Sequence, residues 1–320
     1  MTKITSYDIT NHQGDSISIA NFGARLISWH TRVADEVRNI VLGYSKLEDY
    51  LTDPFFMGAI VGPYANRIAN ARCEMDGKET TLSANEGKHQ LHGGDQALAN
   101  QFWLCSHHDE NSLTLTCKLK DSFNGYPGDL NFKVVYTILQ SSELNITLEV
   151  DSEKPTIAGP TAHPYFNLNK EQKSPEHSLK LNSEHYTPVD RSGIPIGEIK
   201  SVKGTNYDFY SLKEISSSCE GQTLDDNFVI ALTDTSTEPA IFQHATLVSA
   251  DQKLTLHASS NYPALQVYTG QYLREPFLPN QGVCLEPQFT PDSPNQTIFP
   301  FHFTTPNQSL STVIIYKLTK

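Results

Sequence analysis

The sequence predicts an all-β fold, a large and mostly antiparallel β-sandwich with few short helices. Three observations carry this. Apolar residues recur with a period of two in several separate runs, turn-forming pairs punctuate those runs, and long helical stripes are nearly absent. Frequent turns between short strands favour a sandwich or barrel over alternating βαβ units.

The elements follow in chain order. A short helix is expected at 45–51: Ser45 caps it, Glu48 completes a capping box, and Leu47, Tyr50 and Leu51 form a small apolar face. Asp76-Gly77 suits a two-residue hairpin turn. In SLTLTCKLK (112–120), Leu113, Leu115, Cys117 and Leu119 share one face. Asn124-Gly125 and Pro127-Gly128 are turn signals ahead of another strand. ELNITLEV (143–150) directs Leu144, Ile146, Leu148 and Val150 inward. The polar stretch NKEQKSPEHS (169–178) reads as an exposed loop. KLTLHAS (253–259) and ALQVYTG (264–270) alternate again, and STVIIYKL (311–318) is a β-branched strand. Such alternation is that of antiparallel sheet with one solvated or cleft-facing side. No internal repeat or linker-like tract interrupts residues 1–320, which are expected to form one domain.

Composition narrows the function. The chain of 320 residues is 38% apolar and 19% charged, as in an ordinary globular protein. Its net charge of −12 argues against nucleic acid, anionic membrane surfaces and highly phosphorylated substrates, which call for clustered Lys and Arg. The five cysteines are scattered and form no CxxC pair, so neither a disulfide framework nor a zinc knuckle is expected. No apolar leader and no run of about 18 apolar residues is present, so a cytoplasmic protein is expected. A monomer or homodimer is expected.

The usual cofactor and hydrolase signatures are missing: no GxGxxG, P-loop lysine, GxSxG or HExxH occurs. The one HxxH, His89 and His92, has the wrong spacing to put both rings on one face of a strand, so no metal site is expected. What remains is polar residues in rigid contexts. Asn66-Arg67 in GPYANRI (62–68) is either a hydrogen-bonding pair for hydroxyls or a surface salt bridge after a turn. His92 precedes two glycines, which allow close backbone approach and an imidazole at a cleft wall, or simply a turn. His163 precedes Pro164 and aromatic residues, so it is either a held, partly dry acid–base group or a satisfied core histidine. In GVCLEPQ (282–288), Cys284, Glu286 and Gln288 share one strand face and Val283 and Leu285 the other. Asp225, beside Asp226, is a hydroxyl-binding or a capping carboxylate, and Gln266 shares a face with Tyr268.

Taken in order, these segments resemble one family, the aldose 1-epimerases or galactose mutarotases. The match runs from GPYANRI through LHGG, YPGDL, HPYFNL, YTPVD, IPIGEI, LDDNF, YTG and CLEPQ to PDSPN, over about residues 58 to 300. HPYFNL, YTPVD with IPIGEI, and CLEPQ with PDSPN are the specific ones. The resemblance implies a galactose mutarotase-like β-sandwich with a cleft across one sheet and no cofactor. It implies a free aldose substrate, with His163 as general acid and Glu286 as general base. It places Asn66, Arg67, His92, Asp225 and Gln266 against the sugar. Three departures stand out. Pro63 replaces an arginine usual in the first motif, Asp226 replaces the histidine of DHNF, and DQALANQFW (95–103) lacks a usual Gly-Phe pair. These bear on substrate preference.

The chemistry implied is anomer exchange. Ordinary pKa values of about 4.3 for Glu and about 6.5 for His would let a charged base and a charged acid coexist between them. Tyr165, Phe166 and Trp103 are candidate platforms for the sugar's apolar face. Two rivals are a hexose 6-phosphate epimerase, which would need extra cations in the cleft, and a non-catalytic carbohydrate-binding sandwich, which would need no matched acid and base.

Overall fold

A computed structural model describes residues 3–75, 77–171, 176–215, 223–232 and 240–320. Its largest element is a nine-stranded antiparallel sheet. In spatial order the strands are Leu104–His108, Ser112–Leu119, Leu130–Leu139, Glu143–Ser152, Leu310–Thr319, Thr255–Ser260, Phe242–Ser249, His177–Leu181 and Lys213–Glu214. Alternation in sequence becomes alternation in burial. Along Leu130–Leu139 the even positions are all buried, and along Glu143–Ser152 they are buried opposite them in register.

A second sheet carries the cavity described below. Its six strands run in the order Tyr165–Phe166, Val283–Gln288, Ala264–Tyr268, Asp225–Val229, His185–Thr187 and Lys200–Ser201. The sheets pack through large side chains: Tyr316 of the nine-stranded sheet stacks edge-on against Phe166 and donates its hydroxyl proton to the Leu285 carbonyl at 2.7 Å. A four-stranded N-terminal meander, Ser6–Thr10 to Glu36–Asn39, joins the same core, with Tyr136 Oη bonded to the Ala24 carbonyl at 2.6 Å. Four of the cysteines are free thiols, and Cys219 lies outside the described residues. Among the described residues no helix is long and apolar enough to cross a membrane.

Some sequence expectations are corrected. Residues 47–52 form a 3₁₀ helix, begun by Lys46 without a side-chain cap; the Ser45–Glu48 box does not form. Tyr50 alone of its apolar residues is buried, because its hydroxyl accepts the Tyr44 N–H at 3.0 Å and anchors the turn. The stretch 169–178 is not all exposed loop: His177 is a buried strand residue whose Nε2 accepts the Leu168 N–H, and Asn169 is buried. The Asp76-Gly77 hairpin pairs Met75 with Lys78 as expected, Asp76 itself lying outside the described residues.

Candidate functional site

The central strands of the six-stranded sheet, Ala264–Tyr268 and Val283–Gln288, are buried on both faces. Leu265, Val267, Val283 and Leu285 belong to the main hydrophobic core. The alternate positions, Gln266, Tyr268, Cys284 and Glu286, therefore look the other way, under loops that cross the sheet. Cross-strand register sets them in rows. Thr187, Asn227, Gln266 and Glu286 are successive partners, and Asp225, Tyr268, Cys284 and Tyr165 form the next row.

Two prolines shape the edge of this sheet. Tyr165 and Phe166 pair with Cys284 and Val283, and the ladder then stops. Pro164 and Pro287 have no N–H with which to extend it. The chain at His163 turns to a different partner, its N–H donating to the Ala59 carbonyl and its own carbonyl accepting from Gly58 N. The imidazole is thereby left facing Glu286, with Nε2 3.6 Å from Oε1. Its other nitrogen, Nδ1, is 3.7 Å from Cys284 Sγ. Rings of Phe56, His92, Tyr165 and Tyr268 surround it.

The opposite wall comes from GPYANRI and LHGG, which are paired: Arg67 faces Leu91 and Ile68 faces Gln90 in a short antiparallel ladder. The His92 N–H donates to the Asn66 carbonyl, and the Asn66 N–H donates to His92 Nδ1 at 3.1 Å. That second bond makes Nδ1 an acceptor, so a neutral His92 carries its proton on Nε2. Gly93 is required by a close approach: at φ +86° a Cβ there would lie 2.3 Å from the Gly62 carbonyl oxygen. His89 and His92 diverge, as their spacing predicts. Both are buried, but only His92 lines the cavity, while His89 Nδ1 accepts the Asn70 N–H.

All seven residues singled out from the sequence, Asn66, Arg67, His92, His163, Asp225, Gln266 and Glu286, line one open cavity of about 180 Å³. This lies below the roughly 300–1,000 Å³ of pockets for drug-sized ligands, so the cavity suits a small molecule. Gln266 Nε2 donates to Asp225 Oδ1 at 2.8 Å. Glu286 Oε2, Gln266 Oε1 and both polar side-chain atoms of Asn227 are buried without a hydrogen-bond partner. Unpaired buried polar atoms are costly, and a ligand rich in hydroxyls would satisfy those within its reach.

Burial controls the electrostatics. Desolvation pushes Glu286 well above its ordinary value of 4.5, and the charge of Asp225 adds to the rise. Desolvation lowers His163 to about 4 and holds His92 well below 6.5. Asp225 is raised by burial, with Arg67 opposing. Burial therefore works against the charged base and charged acid expected from ordinary pKa values. It favours neutral imidazole and neutral carboxyl in this pair.

Other expectations change too. Trp103 and Phe166 are core residues and not platforms: Trp103 Nε1 is bonded to the Leu98 carbonyl, and neither residue lines the cavity. Tyr165 does line it, joined by Phe56, Tyr268 and Tyr272, which sequence reasoning missed apart from the shared face of Gln266 and Tyr268. Glu86 was also missed; it holds the Arg67 guanidinium by two bonds, to Nε at 2.6 Å and Nη2 at 2.9 Å. Pro63 and Asp226, two of the three departures from the family pattern, do not line the cavity. Asp226 is turned away by strand alternation, and burial raises it to about 6. Among the described residues, His163, Cys284 and Glu286 are the one trio whose metal-ligating atoms lie within 4.8 Å of one another. Their shortest contacts run through different ring nitrogens, the thiol to Nδ1 and the carboxylate to Nε2.

Known proteins sharpen this picture. The profile of the family described as aldose 1-epimerase matches residues 5–317. The aldose 1-epimerase of Escherichia coli strain K12 is 34% identical over 327 aligned positions, covering 97% of this chain and 93% of the relative. The galactose mutarotase of Bos taurus is 33% identical, covering 86% and 84%. A solved GalM/aldose epimerase homologue from C. elegans superposes with a TM-score of 0.92 at 27% identity, covering 99% of both chains. With the sheet order, the ordered motifs and these full-length likenesses in agreement, the chain belongs to the aldose 1-epimerase family of isomerases.

Proposed function

We propose that this epimerase interconverts the α and β anomers of a free hexose, galactose or glucose, by acid–base ring opening. The observation that carries the reading is the buried His163–Glu286 pair, 3.6 Å apart at the base of a cavity lined with hydroxyl-binding groups. Carboxylate Glu286 takes the proton of the anomeric hydroxyl, and imidazolium His163 delivers one to the ring oxygen. The C1–O5 bond breaks and the open-chain aldehyde forms. Rotation about C1–C2 presents the other carbonyl face, and the two protons return. Asn66, Arg67, His92, Asp225 and Gln266 hold the sugar's oxygens meanwhile, His92 as a neutral Nε2–H donor. Each positioned acid or base contributes roughly 10²–10⁴-fold.

The protonation states fit this cycle. A cyclic sugar accompanies the charged pair, and the aldehyde accompanies the neutral pair, because ring opening moves one proton onto Glu286 and one off His163. Desolvation disfavours the two charges. The buried site thus offsets part of the cost of opening the ring. No electron transfer or covalent intermediate enters this scheme, so it calls for no cofactor. We read residues 1–320 as one catalytic domain.

Polarimetry of freshly dissolved α-D-galactose tests the proposal. Rotation should relax to the normal anomeric equilibrium faster with protein than without, with no nucleotide added. Formation of glucose from galactose, or a requirement for a nicotinamide, would overturn it.

A further inference from the structure

Among the residues lining the cavity, Arg67 is the one permanent cation, against the carboxyl groups of Glu86, Asp225 and Glu286. Its guanidinium is clamped from two sides. Glu86 takes the Nε and one Nη2 proton in a fork, leaving the other N–H groups for a ligand. On the far side runs the turn at Gly193, where an added Cβ would stand 3.0 Å from Arg67 Cζ and Nη1. Glu86 sits in the loop between the strands Lys78–Thr81 and Gln90–Leu91, and it is bridged to His89 by backbone bonds. Its backbone is thus held, while its side chain is 37% exposed and is placed by the fork to Arg67.

We propose that Glu86 is a specificity-determining residue, which neutralises the positive charge of Arg67 in an intramolecular ion pair and so reserves the cavity for uncharged sugars. An unpaired arginine fork is the preferred receptor for phosphate and carboxylate. With Glu86 in the fork, an incoming anion must either displace a bidentate carboxylate or sit beside it. A neutral hydroxyl meets no such conflict, since it can accept from the remaining N–H groups and donate to Asp225. The inference rests on the reading of the cavity as a sugar site, but it makes a claim that can fail separately.

The test uses inorganic phosphate and Glu86→Gln, with Glu86→Asp as a second variant that keeps the charge. Calorimetry reads phosphate binding directly, without reference to activity. Phosphate should bind Glu86→Gln at least about tenfold more tightly than the wild type or Glu86→Asp, the scale of one charge-assisted contact. In anomer-exchange assays the kcat/KM ratio of galactose to galactose 6-phosphate should exceed about tenfold in the wild type and fall by a similar factor in Glu86→Gln. A purely structural Glu86 would instead change the KM for galactose in both variants and leave phosphate affinity and the ratio alone; that result overturns the inference. If Glu86→Gln does not fold, Gly193→Ala, which displaces the guanidinium from the other side, must shift the same ratio or the inference fails. A wild type inert towards galactose would sink the mutarotase reading, while phosphate calorimetry would still decide the role of Glu86.

Discussion

Substituting Asp53 by asparagine should destabilise the protein nearly as much as substituting it by alanine. The Asp53 side chain is fully buried, and Arg25, bonded to it at 2.6 Å, is almost so. All four of its partners are donors. Oδ1 accepts from Tyr44 Oη and Phe55 N, and Oδ2 accepts from Arg25 Nη1 and Met57 N. An asparagine amide put in place of either oxygen points N–H at two donors and also leaves Arg25 without its counter-charge. Removing one partner of a buried ion pair costs about 3–5 kcal/mol. For 320 residues the unfolding entropy is about 0.67 kcal/mol/K, so the melting temperature should fall by roughly 5–7 °C in either variant. The same bonds shape the loop that carries Phe55 and Phe56 to the cavity, so kcat/KM should fall at temperatures where the variants are still folded. Differential scanning calorimetry with far-UV circular dichroism makes the measurement. If Asp53→Asn melts within about 1.5 °C of wild type, roughly 1 kcal/mol, the description of an all-donor shell around a charged carboxylate is wrong.

Three further outcomes are expected. The kcat/KM profile should be bell-shaped with its limbs set by the pair as a unit: activity falls as pH drops through about 4, where a second proton goes onto His163, and falls again as pH rises past the elevated value of Glu286, where the pair's one proton leaves. NMR of labelled histidine should accordingly find the His163 ring neutral at pH 6, and a protonated ring there would contradict the burial argument. Asp225→Asn removes a charge that raises Glu286, so the alkaline limb should move to lower pH whatever happens to the maximum rate; an unmoved limb would deny the coupling. Gly93→Ala forces a methyl to within 2.3 Å of the Gly62 carbonyl at positive φ, which should displace the wall bearing His92 and Asn66 and reduce kcat/KM at least about tenfold, read in steady-state kinetics; near-wild-type activity would mean that the approach is not as tight as described.

Much of the candidate site was legible because its segments, each open to two readings alone, resemble one family when taken in order, and some carry local signals. Pro164 after His163 and Pro287 after Glu286 mark held backbones, and the period of two correctly put Glu286 and Cys284 on one face. The strands that alternate most regularly were found nearly to their ends, as with Ser112–Leu119 and Glu143–Ser152. What stayed hidden depends on contacts distant in sequence. Glu86 reads as a loop carboxylate until Arg67 and Leu91 are paired, and Arg25 and Asp53 lie 28 positions apart with nothing local to link them. Phe56, which lines the cavity, lies between Phe55 and Met57, both bonded to that ion pair. The helix at 45–51 misled because its capping pattern was satisfied in sequence, whereas Tyr50 bonds back to Tyr44 and tightens the turn. The shifts of His163 and Glu286 are not legible in the chain, because desolvation is a property of the assembled cavity.

The central claim is that Glu286 and His163 move the protons, and not merely that they hold a sugar. NMR anomer exchange on wild type, Glu286→Gln and His163→Asn, with galactose affinity measured separately by calorimetry, tests it most directly. Each substitution preserves approximate shape and polarity while removing the titrating group. The account predicts that kcat falls by about 10²–10⁴-fold in each variant, while galactose affinity changes only a few-fold. Losses of only a few-fold in kcat for both variants would contradict it and leave the cavity as a carbohydrate-binding site whose chemistry lies elsewhere.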